Sequence, residues 1–325
     1  MYSSYEKCLQ CPRNCGVNRS CGELGFCKEP DVIRIASASL HFGEEPPITC
    51  SGGSGTIFIT GCNLRCAFCQ NYQISQQGMG ADVSIEKFAE ICLRLQDNGA
   101  ENINIVTGSH AIPALAKGLA FAKKQGLNIP VCWNSSAYEN VEALKLLDGL
   151  VDIWLPDFKT INPELSFSVF KAKDYPERAK EAILYMMNKS PIVLKGEKML
   201  SGVIIRHLFL PGHLEDTILT LEWLKQNADG KAYISLMSQY TPVPFKNDDE
   251  ITAKQRSASL SHLDNRIVSE QEFTDLQDIL EAFDFKYLFY QELEQDTSWL
   301  PDFERKQPFS NELANPIWHW KYDFN

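Results

Sequence analysis

Eleven cysteines stand in this chain of 325 residues, and eight of them fall in two short stretches. The second stretch, Cys62-Asn63-Leu64-Arg65-Cys66-Ala67-Phe68-Cys69, has the spacing C-x3-C-x2-C. Cysteine thiolates are the usual ligands of a [4Fe–4S] cluster, which has four irons to hold. Three thiolates on one tight loop fix three irons and leave the fourth open to a small molecule, as a catalytic metal site requires. The same cysteines could instead hold a structural zinc, or a complete cluster closed by one more distant cysteine. Zinc sites more often show paired C-x2-C knuckles and a fourth ligand. The first stretch, residues 1–30, holds Cys8, Cys11, Cys15, Cys21 and Cys27 with little apolar periodicity, so it is predicted to fold around a metal instead of a core. Cys50, Cys92 and Cys132 lie outside both stretches and read as buried free thiols.

The elements that must position these residues begin at Thr56. Six short apolar or β-branched runs alternate with amphipathic stretches, the pattern of βα units around a parallel sheet. The runs are 56–60, 102–106, 129–133, 151–155, 203–208 and 232–237. Helices are predicted from Ser84 as N-cap to about Gln96, from Pro113 to Gln125, from Val141 to Leu147, from Pro176 to Met187 and from Glu215 to Gln226. Six repeats fall short of the eight in a closed barrel. In parallel α/β folds the site lies at the carboxyl ends of the strands, and the Cys62–Cys69 loop follows the first of them. At the fourth strand's end, alternation puts Asp157 and Lys159 on one side, able to present opposite charges together. On the fifth, it puts Arg206 and His207 on opposite faces, so at most one points inward, and Arg206 is the one expected to meet a carboxylate.

The cluster motif resembles the signature of the radical S-adenosylmethionine (SAM) superfamily, whose aromatic residue before the last cysteine is here Phe68. The resemblance implies a (β/α)6 partial TIM barrel. It also implies that SAM chelates the open iron and is cleaved reductively to a 5′-deoxyadenosyl radical, which abstracts hydrogen from a substrate. In that family the second strand ends in a Gly-Gly-Glu-like turn; here it reads Val106-Thr107-Gly108-Ser109-His110, without the glutamate, and Thr107 and Gly108 are the implied contacts. His110 could donate to SAM or substrate, or be an ordinary loop histidine. Asn134 after the third strand, and Asp157 and Lys159 after the fourth, resemble SAM-supporting positions of activating enzymes, with Arg206 completing the set. The blocks His41–Pro46, Gly53–Thr56, Cys62–Tyr72, Leu155–Lys159, Arg206–Leu208 and Gln239-Tyr240 resemble one branch of that superfamily, the PflX-type relatives of pyruvate formate-lyase activating enzyme. The N-terminal cysteines resemble the same branch. They imply a second metal site of Cys8, Cys11, Cys15 and Cys27, suited to zinc or to a second iron–sulfur cluster, with Cys21 an extra.

The division expected is an N-terminal module and lead-in over 1–50, the barrel over 51–240 and an extension over 241–325. In the extension Ser269 and Glu272 form a capping box that opens a helix to about Phe283, 286–290 is a further strand, and an irregular aromatic tail follows. The net charge of −11 argues against a nucleic-acid scaffold. No stretch has the length of a membrane span and the first residues lack a signal peptide's apolar core, so a cytoplasmic location is expected. The expectation is a radical SAM enzyme with a glycyl radical enzyme as protein substrate and a reducing partner such as flavodoxin or ferredoxin. The alternatives are modification of a small metabolite or peptide, and an electron carrier or metal-stapled binding protein.

Overall fold

The structure is a computed structural model that describes residues 3–293, 299–310 and 312–323. Its strands are β1 (Ile33–His41), β2 (Ser54–Ile59), β3 (Ala81–Val83), β4 (Ile103–Val106), β5 (Val131–Ser135), β6 (Ile153–Pro156), β7 (Val193–Lys195), β8 (Lys198–Leu208), β9 (Tyr233–Met237), β10 (Leu288–Tyr290), β11 (Ala314–His319) and β12 (Tyr322–Asp323). They form one open sheet in the order β10-β9-β8-β6-β5-β4-β2-β1-β11-β12, with β3 on β1 and β7 on β8. The run from β2 to β10 is parallel throughout. This is a mixed α/β fold with a parallel sheet that does not close, a partial barrel built on the six expected βα units.

The helices form where the sequence places their caps. Ser84 accepts from the Lys87 amide and starts helix Ile85–Asp97, whose buried face is Phe88, Ala89, Ile91, Cys92 and Leu95. Pro113 sits in the first turn of helix Ile112–Lys124, where no amide donor is needed. These helices and Leu214–Ala228 cover one face of the sheet, packing on Ile105, Trp133, Trp154 and Ile205. Alternation turns Asn104, Cys132, Asn134, Leu155, Asp157, Arg206 and Ser235 to the opposite face, which the short helix Pro46–Thr49 crosses.

Three departures from the sequence reading matter for the site. The lead-in is itself a strand: β1 runs antiparallel to β2 and is buried along nearly its whole length. The segment between them, with its short helix Pro46–Thr49, crosses this opposite face, where Ile48 packs on Cys132, Ile153, Leu155 and Ile204. The tail is more regular than its composition suggests. Its β11 pairs with β1, while Phe303 and Phe309 pack on Phe58 with ring centroids 5.4 and 5.2 Å away. The polar stretch after 246 contains a helix, Glu250–Leu260, capped by Asp249. Among the described residues no helix is long and apolar enough to cross a membrane.

Candidate active site

The loop after β2 is shaped by its neighbours. Gly61 has φ of 86°, and a Cβ there would collide with Glu29, a buried carboxylate paired with Arg34 at 3.2 Å. Beyond it Cys62 and Cys66 are buried, and the Cys69 sulfur lies 3.3 Å from Ser75 Oγ. Phe68 packs edge-on against Phe170 and Tyr240 at 5.9 and 5.6 Å, so its ring anchors the loop to the body. The loop's backbone is held from three sides: Ala67 N donates to Val169 O at 3.0 Å, Gln76 Nε2 to Cys66 O at 2.9 Å and Arg256 to Ala67 O at 3.2 Å.

Burial pushes the Cys66 and Cys69 thiols above their ordinary value. The Lys159 ammonium pulls Cys66 back, while Cys69 and Cys62 raise it further, so the three sulfurs lie within electrostatic reach of one another. Among the described residues no group of three or more His, Cys, Asp or Glu is placed to embrace a single ion. In a cubane each thiolate takes a different iron, so three sulfurs on one loop, near each other and near a cation, suit that donor set.

The strand ends facing the loop carry an ion network. Asp157 bridges to Arg206 across β6 and β8, and Arg206 pairs in register with Ser235 on β9, so these three stand in one row. Arg206 Nε donates to Asp157 Oδ1 at 2.8 Å, and Arg206 also donates to Asn134 Oδ1 at 2.6 Å. Lys159 Nζ lies 2.7 Å from Asp157 Oδ2. Asp157 is held below its ordinary value because Arg206 and Lys159 outweigh its burial; the Asp157 carboxylate in turn raises Lys159 and, with Glu45 and Glu44, raises Arg206 against their own burial. His207 turns away as alternation requires, bonding Phe158 O and Thr217 Oγ1 at 2.7 and 3.0 Å.

The turn after β4 is packed closely against its neighbours. Thr107 holds a left-handed φ of 64° and its amide donates to Asn134 O at 2.9 Å. Gly108 is glycine because Trp133 and Leu115 occupy the space a Cβ would need, so its smallness serves packing. The Ser109 hydroxyl is taken by Glu139, a fully buried carboxylate that also accepts from Trp133 Nε1 and Ser135 Oγ. His110 is buried, accepts from Arg19 through its carbonyl at 2.6 Å, and titrates near 3 because of burial and the Arg19 charge. It faces the N-terminal cysteines.

Those cysteines share one pocket: Cys8, Cys11, Cys15 and Cys27 line it together with His110, and Cys21 is exposed outside it. Burial pushes the Cys11 thiol up to about 12. The module is fastened to the Cys62 loop by Arg13, which donates to Asn63 O at 2.8 Å, to Phe170 O at 2.9 Å and to Lys171 O. Of the remaining cysteines Cys92 and Cys132 are buried, whereas Cys50 is only partly so.

Sequence reasoning passed over Glu44 and Glu45. Glu44 Oε2 lies 3.3 Å from Arg206, and its other oxygen accepts from Asn104 at 3.0 Å and Asn134 at 3.4 Å. The signal available was the acidic pair itself, set between Gly43 and Pro46 in a block already singled out.

A model of the radical SAM superfamily matches residues 56–224. The chain belongs to that superfamily, whose members are enzymes that use a [4Fe–4S] cluster and SAM. It is 34% identical over 248 residues, 73% of this chain and 67% of the relative, to an uncharacterized protein of Methanocaldococcus jannaschii. Among solved structures, SuiB of Streptococcus suis bound to S-adenosylmethionine aligns at 14% identity and a TM-score of 0.46 over 71% of this chain. The alignment spans 48% of the SuiB chain, about half its length. A domain of pyruvate-formate lyase-activating enzyme from Bacteroides vulgatus aligns at 13% identity and a TM-score of 0.33, over 56% of this chain and 91% of that domain.

Proposed function

We propose that the chain is a radical SAM enzyme whose Cys62, Cys66 and Cys69 hold a [4Fe–4S] cluster with one open iron, and whose Asn134, Asp157, Lys159 and Arg206 hold SAM beside it. When bound, cluster and SAM supply a one-electron cleavage that yields methionine and a 5′-deoxyadenosyl radical able to abstract hydrogen from a substrate. The observation that carries this reading is the position of Lys159, whose ammonium acts on Cys66 and on Asp157 at once. The cysteine loop and the ion network therefore serve one site.

Each chain residue has a defined task. The three thiols must lose their protons to bind iron, and Lys159 lowers that cost at Cys66. Asp157 fixes the side chains of Lys159 and Arg206, so the three charges would meet a zwitterionic methionyl group already ordered. Phe68 and Arg256 hold the loop against the body. Thr107 and Gly108 lie on the turn beside Asn134 and complete the SAM side of the site. Cys8, Cys11, Cys15 and Cys27 line one pocket and would hold the second metal group, zinc or iron–sulfur, on drawing in around it.

For the target, the resemblance of the Cys62–Tyr72 and Leu155–Lys159 blocks to those of activating enzymes supports a glycyl radical enzyme partner, with electrons from a flavodoxin or ferredoxin. The test is anaerobic reconstitution with iron and sulfide, addition of SAM and a strong reductant, and chromatography of the products. 5′-Deoxyadenosine is expected from the wild type and from Cys8→Ala at reduced yield, and none from Cys66→Ala. Normal cleavage by Cys66→Ala would remove the reading.

A further inference from the structure

Five charged side chains meet on the sheet face that carries Asn104 and Asn134: Glu44, Glu45, Asp157, Lys159 and Arg206. Arg206 joins Asp157 to Glu44, and Lys159 joins the group through Asp157. Glu45 stands beside them, with Arg206 and Glu44 as its charged neighbours and Ser235 bonded to its carboxylate. Three carboxylates thus share two cations, and with every group ionised the cluster carries one excess negative charge. Burial holds both glutamates above their ordinary value, Arg206 pulling them back only in part, so a cation brought to them would favour their ionised forms.

A second, independent observation lies in the hydrogen bonds. Asn104 is wholly buried and its amide nitrogen donates to Glu44, yet its Oδ1 has no partner. Glu45 Oε2 is also buried without one. Leaving a buried acceptor unpaired is costly, so two in one cluster call for donors from outside the chain. Both want N–H groups, and the excess charge wants a cation. The site is not sealed: Glu44, Arg206, Asp157 and Lys159 keep 10%, 15%, 18% and 18% of their side-chain surface exposed.

We infer that Glu44, Glu45 and the Asn104 carbonyl form a subsite for a cationic nitrogen group carried by the substrate, a guanidinium or an ammonium. Such a group donates several N–H bonds and brings the one positive charge the cluster lacks. It reaches the site on the same sheet face as Asp157 and Arg206, next to where SAM is proposed to bind. That the guest is a substrate rests on the radical SAM reading; that a cation binds does not.

The test is calorimetric titration of the reconstituted, SAM-loaded, unreduced protein with charged probes and their neutral isosteres. The first pair is agmatine and its urea analogue. The second is the peptide acetyl-Gly-Arg-Gly-amide and its citrulline counterpart, and 1,5-diaminopentane stands for ammonium. At least one charged probe is expected to bind tenfold or more tightly than its neutral control. Glu45→Gln should remove that preference, Glu45→Asp should keep part of it, and both should melt within a few degrees of the wild type. Which probe binds tells free amine from guanidinium and small molecule from peptide. Equal binding of charged and neutral probes, or an undiminished preference in Glu45→Gln, overturns the inference. So does a loss confined to SAM affinity, which would assign the acceptors to the SAM ammonium. If cations bind but no 5′-deoxyadenosine ever forms, the subsite stands and the radical reading falls; the converse result rejects the subsite alone.

Discussion

Arg206 Nε donates to Asp157 Oδ1 at 2.8 Å, tying the end of β8 to the end of β6 across a gap of 49 residues in sequence. The same carboxylate holds Lys159, so one side chain organises both cations that face the cysteine loop. Because these groups are largely buried, removing Asp157 strips Lys159 of its carboxylate partner and breaks the shorter of the ion pairs of Arg206. Asp157→Ala should lower stability by about 3–5 kcal/mol, seen as a lower chemical-denaturation midpoint. Arg206 and Lys159 hold Asp157 below its ordinary value, so its contribution is complete at neutral pH and is lost as pH falls through the acid range below the ordinary carboxylate value. Wild type and Asp157→Ala should therefore converge in stability on acidification.

Gly61 fixes the entry to the cysteine loop. Gly61→Ala places a methyl group against Glu29 in a left-handed conformation that alanine resists. The variant should fold but hold less than half the iron of the wild type after reconstitution, measured by iron and sulfide analysis.

Arg256 links the extension to the cysteine loop, with Asp248, Ala67 O and Gln76 Oε1 as acceptors and the Phe245 ring 3.8 Å from its guanidinium carbon. Arg256→Lys keeps the charge but cannot reproduce this fork. Both Arg256→Lys and Arg256→Ala should lose their cluster to a chelator several times faster than the wild type, followed by loss of visible absorbance.

The capping box of helix Glu270–Phe283 has its own pH signature. Arg266 first, then the Ser269 and Gly212 amides, hold Glu272 down to about 2. Its stabilising effect is thus complete above the ordinary glutamate value of 4.5, declines as pH drops below it and is gone below about 2. Wild type and Glu272→Gln should differ in amide-exchange protection over the first turn at pH 7 and converge toward pH 2.

The parallel strands were legible because β-branched runs buried on both faces have no other home in an α/β chain. β1 escaped because its centre, Ala36-Ser37-Ala38-Ser39, is small and polar enough to pass for a loop; partners β2 and β11 make it a strand. Helix Glu250–Leu260 buries only Arg256 and Ser259, so no apolar stripe announced it. At the site, the Asp157 and Lys159 pairing followed from alternation, as did the opposed faces of Arg206 and His207. Glu44 and Glu45 were hidden because only the folded crossing of the 42–50 segment brings them to Arg206, and local spacing carries no trace of that contact.

The most direct test of the central claim, a [4Fe–4S] cluster with an iron open to SAM, is the electron paramagnetic resonance spectrum of the reduced, reconstituted protein before and after SAM is added. To separate the two cysteine sets it is recorded on wild type and on a variant lacking Cys8 and Cys11. The account predicts a cluster signal that survives in the variant and shifts in g-value when SAM is added. A signal that ignores saturating SAM in both proteins would contradict it.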